Sequence, residues 1–348
     1  MKTIDLRRDT ITLPDQSMVA EAFKAPLGDS VYGEDPKQEE LEAYAAELFG
    51  MDGSLFVPSG TMGNLVALLS HTSRGDEIIM EENAHIGTSE TGGAACVGGL
   101  MIRNVRGDDG APEPELLAQA IRPDNIHYPR TSLICLESTH YRYGGVVPPL
   151  EKFEAIRRIA DQRGIPVHLD GARVFNAAVY LQVQVQEITR YADSVMVSLS
   201  KGLGAPVGSV LAGSRAFIER ARRYRKMLGG GMRQTGWLCA CGLIALSPDN
   251  TARLEKDHDN ATLLAEGLSK LPGVRIDLDK TQTNYVLATV QSPKLDARAL
   301  VKALEDRGVL ASASDNMIVR FVTSKQVDRD DILEVLAVAE EIWNEAVG

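Results

Sequence analysis

The sequence predicts an α/β protein with a large domain around a mostly parallel central sheet, followed by a smaller C-terminal α+β domain. Short apolar runs typical of buried strands alternate with amphipathic helical stretches through the first 250 residues. Polar side chains follow several of these strands, at the edge where open α/β sheets bind their ligands. The last hundred residues change in character, so we expect domains at 1–250 and 251–348.

Composition allows two folded domains and excludes several classes of protein. The chain has 348 residues, 44% of them hydrophobic, which permits a sizeable core and argues against extensive disorder. The net charge of −11 argues against nucleic-acid binding. The short basic run at 220–226 is explained either as the exposed face of a helix or as a lead into a phosphate contact.

Hydropathy and cysteine usage predict a cytoplasmic protein. No stretch has the length and apolar character of a membrane span, and residues 1–9 contain no apolar signal core. The four cysteines form no disulfide framework, which indicates a reducing compartment. Cys239 and Cys241 are too close together for a zinc knuckle and lie in an apolar run, so we expect packing thiols and no metal site.

The elements follow each other in a regular order. Strands and helices alternate up to about residue 250. The last hundred residues contain three predicted helices and three predicted strands, the first of these strands near Val274. The predicted strands of the large domain are 55–58, 77–80, 100–105, 133–136, 167–170 and 195–199, and its helices are 41–49, 65–69, 114–121, 150–163, 214–227 and 234–246. The predicted helices of the small domain are 252–271, 296–307 and 329–345, and its other strands are 285–289 and 317–322.

The first strand-turn-helix unit has the character of an anion site. The strand at 55–58 is followed by the turn Ser59-Gly60-Thr61 and then by an apolar helix. Free backbone N–H groups and the helix dipole at such a helix start favour an anion. The glycine spacing matches neither a Walker loop nor a dinucleotide fingerprint. The unit is therefore either a phosphate cup or a plain strand-to-helix turn.

A lysine and an aspartate end two successive predicted strands. Lys201 follows an apolar run and lies in a turn with Gly202, Gly204 and Gly208. Burial would lower the pKa of its amine and make it nucleophilic, as a Schiff-base lysine requires; the alternative is a solvated loop lysine. Asp170 ends the preceding strand. Enzymes that use pyridoxal phosphate (PLP) need a lysine for the cofactor aldehyde and an aspartate for its pyridinium nitrogen.

The chain resembles the L-threonine aldolases of the low-specificity or L-allo-threonine type. These are PLP enzymes of the aspartate aminotransferase fold type, fold type I, and the matching stretches run nearly end to end. The stretches that carry the resemblance are 4–7, 9–10, 31–36, 59–61, His85, 92–94, 126–127, Glu137, 139–140, 168–173, 200–204, 229–234 and 319–320.

The resemblance implies a set of cofactor contacts. Lys201 forms the Schiff base, and Asp170 pairs with the pyridine nitrogen. Gly60 and Thr61 hold the phosphate, which Arg233 reaches from a neighbouring subunit. The full implied set for the cofactor is Ser59, Gly60, Thr61, His85, Asp170, Arg173, Ser200, Lys201 and Arg233.

The resemblance also implies substrate contacts. His85 stacks on the cofactor ring and His127 approaches the β-hydroxyl, so either histidine is a candidate base beside Lys201 and Asp170 as catalytic residues. Arg320 clamps the carboxylate bidentately, although an amphipathic edge residue is the alternative. The implied substrate-binding residues are Arg8, Arg173, Arg320 and His127. We interpret His140 and His168 as structural histidines.

Three positions depart from the family pattern. The family has a serine between Arg7 and Asp9, where this chain has Arg8. The family's asparagines after Glu137 and His140 are Ser138 and Tyr141 here. These differences concern the range of substrates more than the type of reaction.

The implied activity is reversible retro-aldol cleavage of L-threonine, L-allo-threonine and related β-hydroxy amino acids to glycine and an aldehyde. The resemblance further implies a homotetramer of two tight dimers that share active sites, and a role in threonine breakdown and glycine formation. Another PLP enzyme, either a β-eliminating lyase or an aminotransferase, is the alternative within this chemistry. A non-catalytic ligand-binding protein is the alternative outside it, which the Lys201, Asp170 and Arg320 set argues against.

Overall fold

The computed structural model describes residues 2–313 and 315–347. Its strands are β1 (Ile4–Asp5), β2 (Gly53–Val57), β3 (Glu77–Glu81), β4 (Met101–Val105), β5 (Thr131–Glu137), β6 (Val167–Asp170), β7 (Ser194–Ser198), β8 (Ser209–Gly213), β9 (Val274–Arg275), β10 (Tyr285–Val290), β11 (Val309–Leu310), β12 (Ser312–Ala313) and β13 (Ile318–Val322). Its α-helices are α1 (Gln16–Lys24), α2 (Pro36–Leu48), α3 (Gly60–His71), α4 (His85–Thr88), α5 (Gly93–Cys96), α6 (Pro114–Ala120), α7 (Leu150–Arg163), α8 (Val174–Leu181), α9 (Gln186–Thr189), α10 (Arg215–Met227), α11 (Gly236–Ala245), α12 (Pro248–Ala252), α13 (Leu254–Leu268), α14 (Ala297–Glu305) and α15 (Arg329–Val347).

The larger of two compact units is built on a seven-stranded sheet. This unit comprises residues 14–143 and 147–251. The strand order is β2-β8-β7-β6-β5-β3-β4, and all described pairs are parallel except those that β8 makes. The prediction of a mostly parallel central sheet is thereby confirmed. The carboxyl ends of β2, β3, β5, β6 and β7 consequently meet at one edge.

Strand β8 is the element of this sheet that the sequence analysis did not predict. It runs antiparallel between β2 and β7 after a loop that turns back at Gly208. Gly208 has a φ of +100°, and a Cβ there would lie 2.4 Å from the Phe56 ring. The return into β8 therefore requires glycine at this position.

Helix α3 begins and packs as its sequence dictates. The Ser59 side chain accepts a hydrogen bond from the Met62 backbone N–H at 3.2 Å and so caps the first turn. Val66 and Ala67 on its apolar face are fully buried against Leu55 and Leu211. The helix therefore starts at the carboxyl edge of the sheet and runs back toward the amino edge.

The smaller unit comprises residues 1–13, 144–146 and 252–348. Its antiparallel sheet has the order β12-β13-β10-β9, and α13, α14 and α15 contribute to its apolar core. We expected the N-terminal segment in the large domain, whereas residues 1–13 group with the C-terminal unit. The reason is that β1 pairs with β11, and Ile4 and Leu6 are buried in this core.

The cysteines and the hydropathy of the helices can be compared with the expectations from the sequence. Cys239 and Cys241 are buried free thiols, as predicted, and Cys135 is also buried whereas Cys96 is exposed. Within residues 2–313 and 315–347, no helix combines the length and the apolar character that crossing a membrane requires.

Candidate active site

Lys201 and Asp170 follow neighbouring parallel strands. Asp170 is the last residue of β6 and is 3% exposed, and Lys201 comes three residues after the end of β7. The loop of Lys201 is closed by hydrogen bonds from the Gly204 N–H to the Lys201 carbonyl and from the Leu199 N–H to the Gly208 carbonyl. Both side chains are therefore placed at the carboxyl edge of the sheet, as the strand ends predicted.

The Asp170 carboxylate belongs to a hydrogen-bonded cluster with Asn64, Glu90 and His85. The side-chain amide of Asn64 donates to Asp170 Oδ2 and to Glu90 Oε1, each at 2.8 Å. His85 Nδ1 lies 3.0 Å from the same Glu90 oxygen and 4.0 Å from Asp170 Oδ2. The Ala172 N–H donates to Asp170 Oδ1 at 3.1 Å. Both oxygens of Asp170 are therefore held.

The same geometry could accommodate a cation, because ligand atoms of His85, Glu90 and Asp170 lie within 4.8 Å of one another. The two amide hydrogens of Asn64, however, point at the carboxylate oxygens that a cation would use. We therefore interpret the group as a hydrogen-bonded cluster.

Glu90 determines which nitrogen of His85 carries hydrogen. A carboxylate accepts hydrogen bonds, so His85 donates from Nδ1 and keeps Nε2 as its basic nitrogen. Burial alone would lower the pKa of His85, but the hydrogen bond to Glu90 and the nearby Asp170 charge outweigh it. The pKa of His85 consequently lies above its ordinary value of 6.5.

A second buried carboxylate positions the backbone of His85. Glu137, at the end of β5, accepts hydrogen bonds from the His85 N–H at 2.7 Å and from the Tyr141 N–H at 2.8 Å. The fully buried His140 lies beside it, with Nε2 3.7 Å from Glu137 Oε2 and 3.0 Å from Glu81 Oε2. This arrangement agrees with a structural part for His140.

The N-terminus of α3 lies at one end of the site and suits the binding of a phosphate group. The first N–H groups of an α-helix have no partner within the helix, and here Ser59, Gly60 and Thr61 form that start. Gly60 packs on Met196, and a Cβ at this position would lie 3.2 Å from the Met196 Cε atom. The buried hydroxyl of Ser209, 3.5 Å from that Cβ position, makes no hydrogen bond to any residue that the structure describes.

These features fit PLP. The amine of Lys201 suits its aldehyde, the fixed carboxylate of Asp170 suits its ring nitrogen, and the α3 start with the Ser209 hydroxyl suits its phosphate. Ser200 and the buried Arg173, which directly precedes α8, lie in the segments that follow β7 and β6. The predicted cofactor residues of this unit, apart from Arg233, thus lie at one edge of the sheet.

Arg233 lies on the surface of the chain. Its guanidinium pairs with Asp29 at 2.8 Å and lies 5.9 Å from the centre of the Tyr32 ring. Its side chain is 49% exposed. The predicted contact with a phosphate of a neighbouring subunit stays a prediction.

His127 lies away from this cluster within one chain, and its predicted approach to the substrate β-hydroxyl stays a prediction. It is exposed, in the loop that precedes β5, and its N–H donates to Asn125 Oδ1 at 3.0 Å. The loop lies at the amino edge of the sheet, whereas the cluster lies at the carboxyl edge. A motif match identifies a residue but not the edge on which its loop is placed.

Arg8 and Arg320 belong to the smaller unit. Arg320 is on β13, and Arg8 follows a segment in which the Leu6 carbonyl accepts a hydrogen bond from the Val322 N–H at 2.8 Å. Arg320 is partly buried, whereas Arg8 is exposed. Their predicted contacts with the substrate carboxylate stay predictions.

Asn64 and Glu90 are two members of the cluster that were not predicted from the sequence. Asn64 is a polar residue in the otherwise apolar stretch 62–69, and such a residue on a buried helix face needs a partner. That signal could have identified Asn64. Glu90 lies between small and polar residues, and nothing in its neighbourhood distinguishes it from a surface glutamate.

Comparison with known families agrees with this site. The model of the family described as Beta-eliminating lyase matches residues 5–291. The chain belongs to this family.

Curated relatives of this lyase are similar over almost their whole length. Probable low-specificity L-threonine aldolase 2 of Arabidopsis thaliana is 43% identical over 99% of this chain and 98% of its own. The low specificity L-threonine aldolase of Escherichia coli K12 is 45% identical over 96% of this chain and 97% of its own. A structure of Leishmania major threonine aldolase has a TM-score of 0.84 at 19% identity, covering 98% of this chain and 99% of its own. The last comparison shows that the fold is shared.

Proposed function

We propose that the protein is a PLP-dependent L-threonine aldolase, a lyase that cleaves L-threonine, L-allo-threonine and related β-hydroxy amino acids to glycine and an aldehyde. The observation that carries this proposal is the similarity, at 43–45% identity and nearly full length, to low-specificity L-threonine aldolases. The Lys201, Asp170 and His85 arrangement supports the same chemistry.

Bound PLP accepts the electron pair that is released when a bond to the substrate Cα breaks. For this the chain must hold the cofactor at three points: Lys201 at the aldehyde, Asp170 at the ring nitrogen, and residues 59–61 at the phosphate. We propose that Arg173 and Arg320 orient the substrate carboxylate, with Arg8 adjusting which substrates fit. Correct orientation of the scissile bond lowers the barrier before any proton moves.

His85 is the proposed base. Its Nε2 takes the proton of the substrate β-hydroxyl as the bond between Cα and Cβ breaks, and Glu90 holds Nδ1–H so that Nε2 stays available. General-base assistance of this kind contributes roughly 10²–10⁴-fold to a rate. A contribution from His127 would have to come from a second subunit, because within one chain it lies at the opposite edge of the sheet.

The Glu90→Gln variant tests the base through its pH dependence. A base works when it is unprotonated, so kcat/KM of the wild-type enzyme should rise through the His85 pKa, above 6.5. Glutamine keeps an acceptor for Nδ1–H but removes the negative charge that raises this pKa. We therefore expect the acid limb of the pH–kcat/KM profile to move to lower pH, with kcat reduced by about tenfold from less exact positioning.

Glu82→Gln is the matched control for this measurement. Glu82 is exposed and lies near His85 in the sequence, so its variant should keep the wild-type profile. An acid limb that stays in place in Glu90→Gln, while the protein remains folded, would show that His85 is not the group that titrates.

The family description favours one second function, β-elimination. From threonine, retro-aldol cleavage yields glycine and acetaldehyde, whereas β-elimination of the hydroxyl yields a 2-oxo acid and ammonia. We expect glycine and acetaldehyde in equal amounts when purified holoenzyme is incubated with L-threonine and with L-allo-threonine. Formation of the 2-oxo acid with no glycine would favour the second function and refute the first.

The remaining parts of the proposal concern organisation. We infer a PLP-binding domain formed by the larger unit, residues 14–143 and 147–251, and a small C-terminal domain that also includes residues 1–13. We also infer a cytoplasmic homotetramer that acts in threonine breakdown and glycine formation. The exposed positions of Arg233 and His127 support contributions to a neighbouring subunit. An active monomer in light scattering would contradict the shared site.

A further inference from the structure

We propose that Asn64 is a positioning residue that couples the Asp170 carboxylate to a chain of hydrogen bonds across the sheet, and that this coupling strengthens the hold on the cofactor ring nitrogen. The proposal rests on the proposed function in one respect, namely that Asp170 faces that nitrogen. Asn64 itself is fully buried.

The chain of hydrogen bonds continues from Asn64 through three further side chains. His168 Nε2 lies 3.1 Å from Asn64 Oδ1, and His168 Nδ1 lies 2.9 Å from Ser194 Oγ. Ser194 Oγ in turn lies 2.8 Å from His71 Nε2. The His71 ring stacks on Phe217 with a centroid distance of 4.6 Å, which fixes the last member of the chain.

The two strands and one helix involved explain why these groups meet. Asp170 and His168 are two residues apart on β6 and therefore point to the same face of the sheet. Ser194 on β7 is the register partner of His168. Asn64 and His71 are seven residues apart on α3, about two turns, and so lie on the same side of this helix. The helix thus covers one row of polar groups on the sheet.

Each donor in this series of hydrogen bonds is directed toward the Asp170 and Glu90 carboxylates. Both amide hydrogens of Asn64 are used by Glu90 and Asp170, so its oxygen must accept from His168 Nε2–H. His168 Nδ1 then accepts from the hydroxyl of Ser194, which accepts from His71 Nε2–H. This assignment requires both histidines to be neutral. Burial provides that, because it lowers the pKa of His168 to about 4 and that of His71 to about 3.

The donor-to-acceptor direction of these hydrogen bonds explains how Asn64 positions the Asp170 carboxylate. An amide can turn over and exchange its oxygen for its nitrogen, which would place an acceptor against two carboxylates. The two carboxylates oppose this exchange because each needs a donor, and a His168 that carries its hydrogen on Nε2 favours the same orientation of the amide from the other side. Asn64 therefore presents two donors to two buried carboxylates at once, which holds the Asp170 carboxylate in place for a ring N–H.

The test compares two cofactors, measured as dissociation constants with protein from which PLP has been removed. One is PLP, and the other is an analogue in which the ring nitrogen is replaced by CH. In Asn64→Leu we expect PLP binding to weaken by about ten- to a hundredfold, as for the loss of a hydrogen bond to a charged group. Binding of the analogue, which offers nothing to Asp170, should change by less than about twofold.

Ser70→Ala is the matched control, because Ser70 is a buried residue of α3 that bonds to the Val66 carbonyl, outside the chain. It should leave both dissociation constants unchanged.

If Asn64→Leu does not fold, Ser194→Ala replaces it as the test variant. We then expect a smaller loss of PLP affinity, about threefold, and no loss of affinity for the analogue. Equal loss for both cofactors in the tested variant would indicate a purely structural role and overturn the inference, as would no loss for either. Wild-type protein that binds no PLP would instead overturn the proposed function.

Discussion

Replacing Lys201 with alanine should abolish cleavage of L-threonine, with a fall in kcat of more than about 1,000-fold, or about 4 kcal/mol in the barrier. The loop after β7 is held by backbone hydrogen bonds and by Gly208, so the substitution should leave the fold intact. The purified wild-type protein should be yellow, and borohydride should fix the cofactor to the peptide that contains Lys201.

A surface lysine provides the control for this variant. Lys302 on α14 is 65% exposed and pairs with Asp306, the residue that follows this helix, and such pairs contribute little to stability. Lys302→Ala should keep both the colour and the activity. Recovery of the reduced cofactor on another residue would overturn the assignment of Lys201.

Asp170→Asn should give the second largest effect, a fall in kcat of about 10²–10³-fold with cofactor still bound. A neutral amide cannot stabilise a proton on the ring nitrogen. The surroundings add a second cause, because Asp170 accepts from Asn64 at one oxygen and from the Ala172 N–H at the other. Whichever way the new amide turns, its NH₂ group faces a donor. The measurements are kcat and the absorption spectrum of the bound cofactor.

Asp161→Asn is the control for charge removal alone. Asp161 lies on α7, is 65% exposed and pairs with Arg157 one turn away. Its variant should keep the wild-type kcat. Near-normal turnover in Asp170→Asn would show that another group pairs with the ring nitrogen.

The sequence predicted the carboxyl-edge residues because parallel strands impose a simple rule. Residues that follow such strands meet at one edge, however far apart they are in the chain. Asp170 and Lys201 could therefore be paired from their positions after two apolar runs. The hydrogen-bonded loops that hold them are local as well, so the glycines of the 200–208 segment were visible as turn signals.

The parts that could not be predicted depend on long-range packing. Asn64 is 106 residues from Asp170, and its partners are defined by how α3 lies over β6. The apolar run of β8 is only three residues long, Val210 to Ala212, and its identity as a strand follows from the hydrogen bonds that β2 and β7 offer on both sides. The N-terminal segment is similar, because its position depends on β11, about 300 residues away.

Helix α3 has a consequence for how this active site could change. Its first turn contains the proposed phosphate site, and Asn64, three residues after Thr61, contacts the two carboxylates. The distance between the two functions is therefore set by the helical rise, about 1.5 Å per residue. Inserting one residue between Thr61 and Asn64 would rotate the amide by about 100° and direct it away from Asp170. The helix thus fixes the spacing between the proposed phosphate site and Asn64. Substitutions in this stretch are therefore far easier to accommodate than insertions or deletions, which change that spacing.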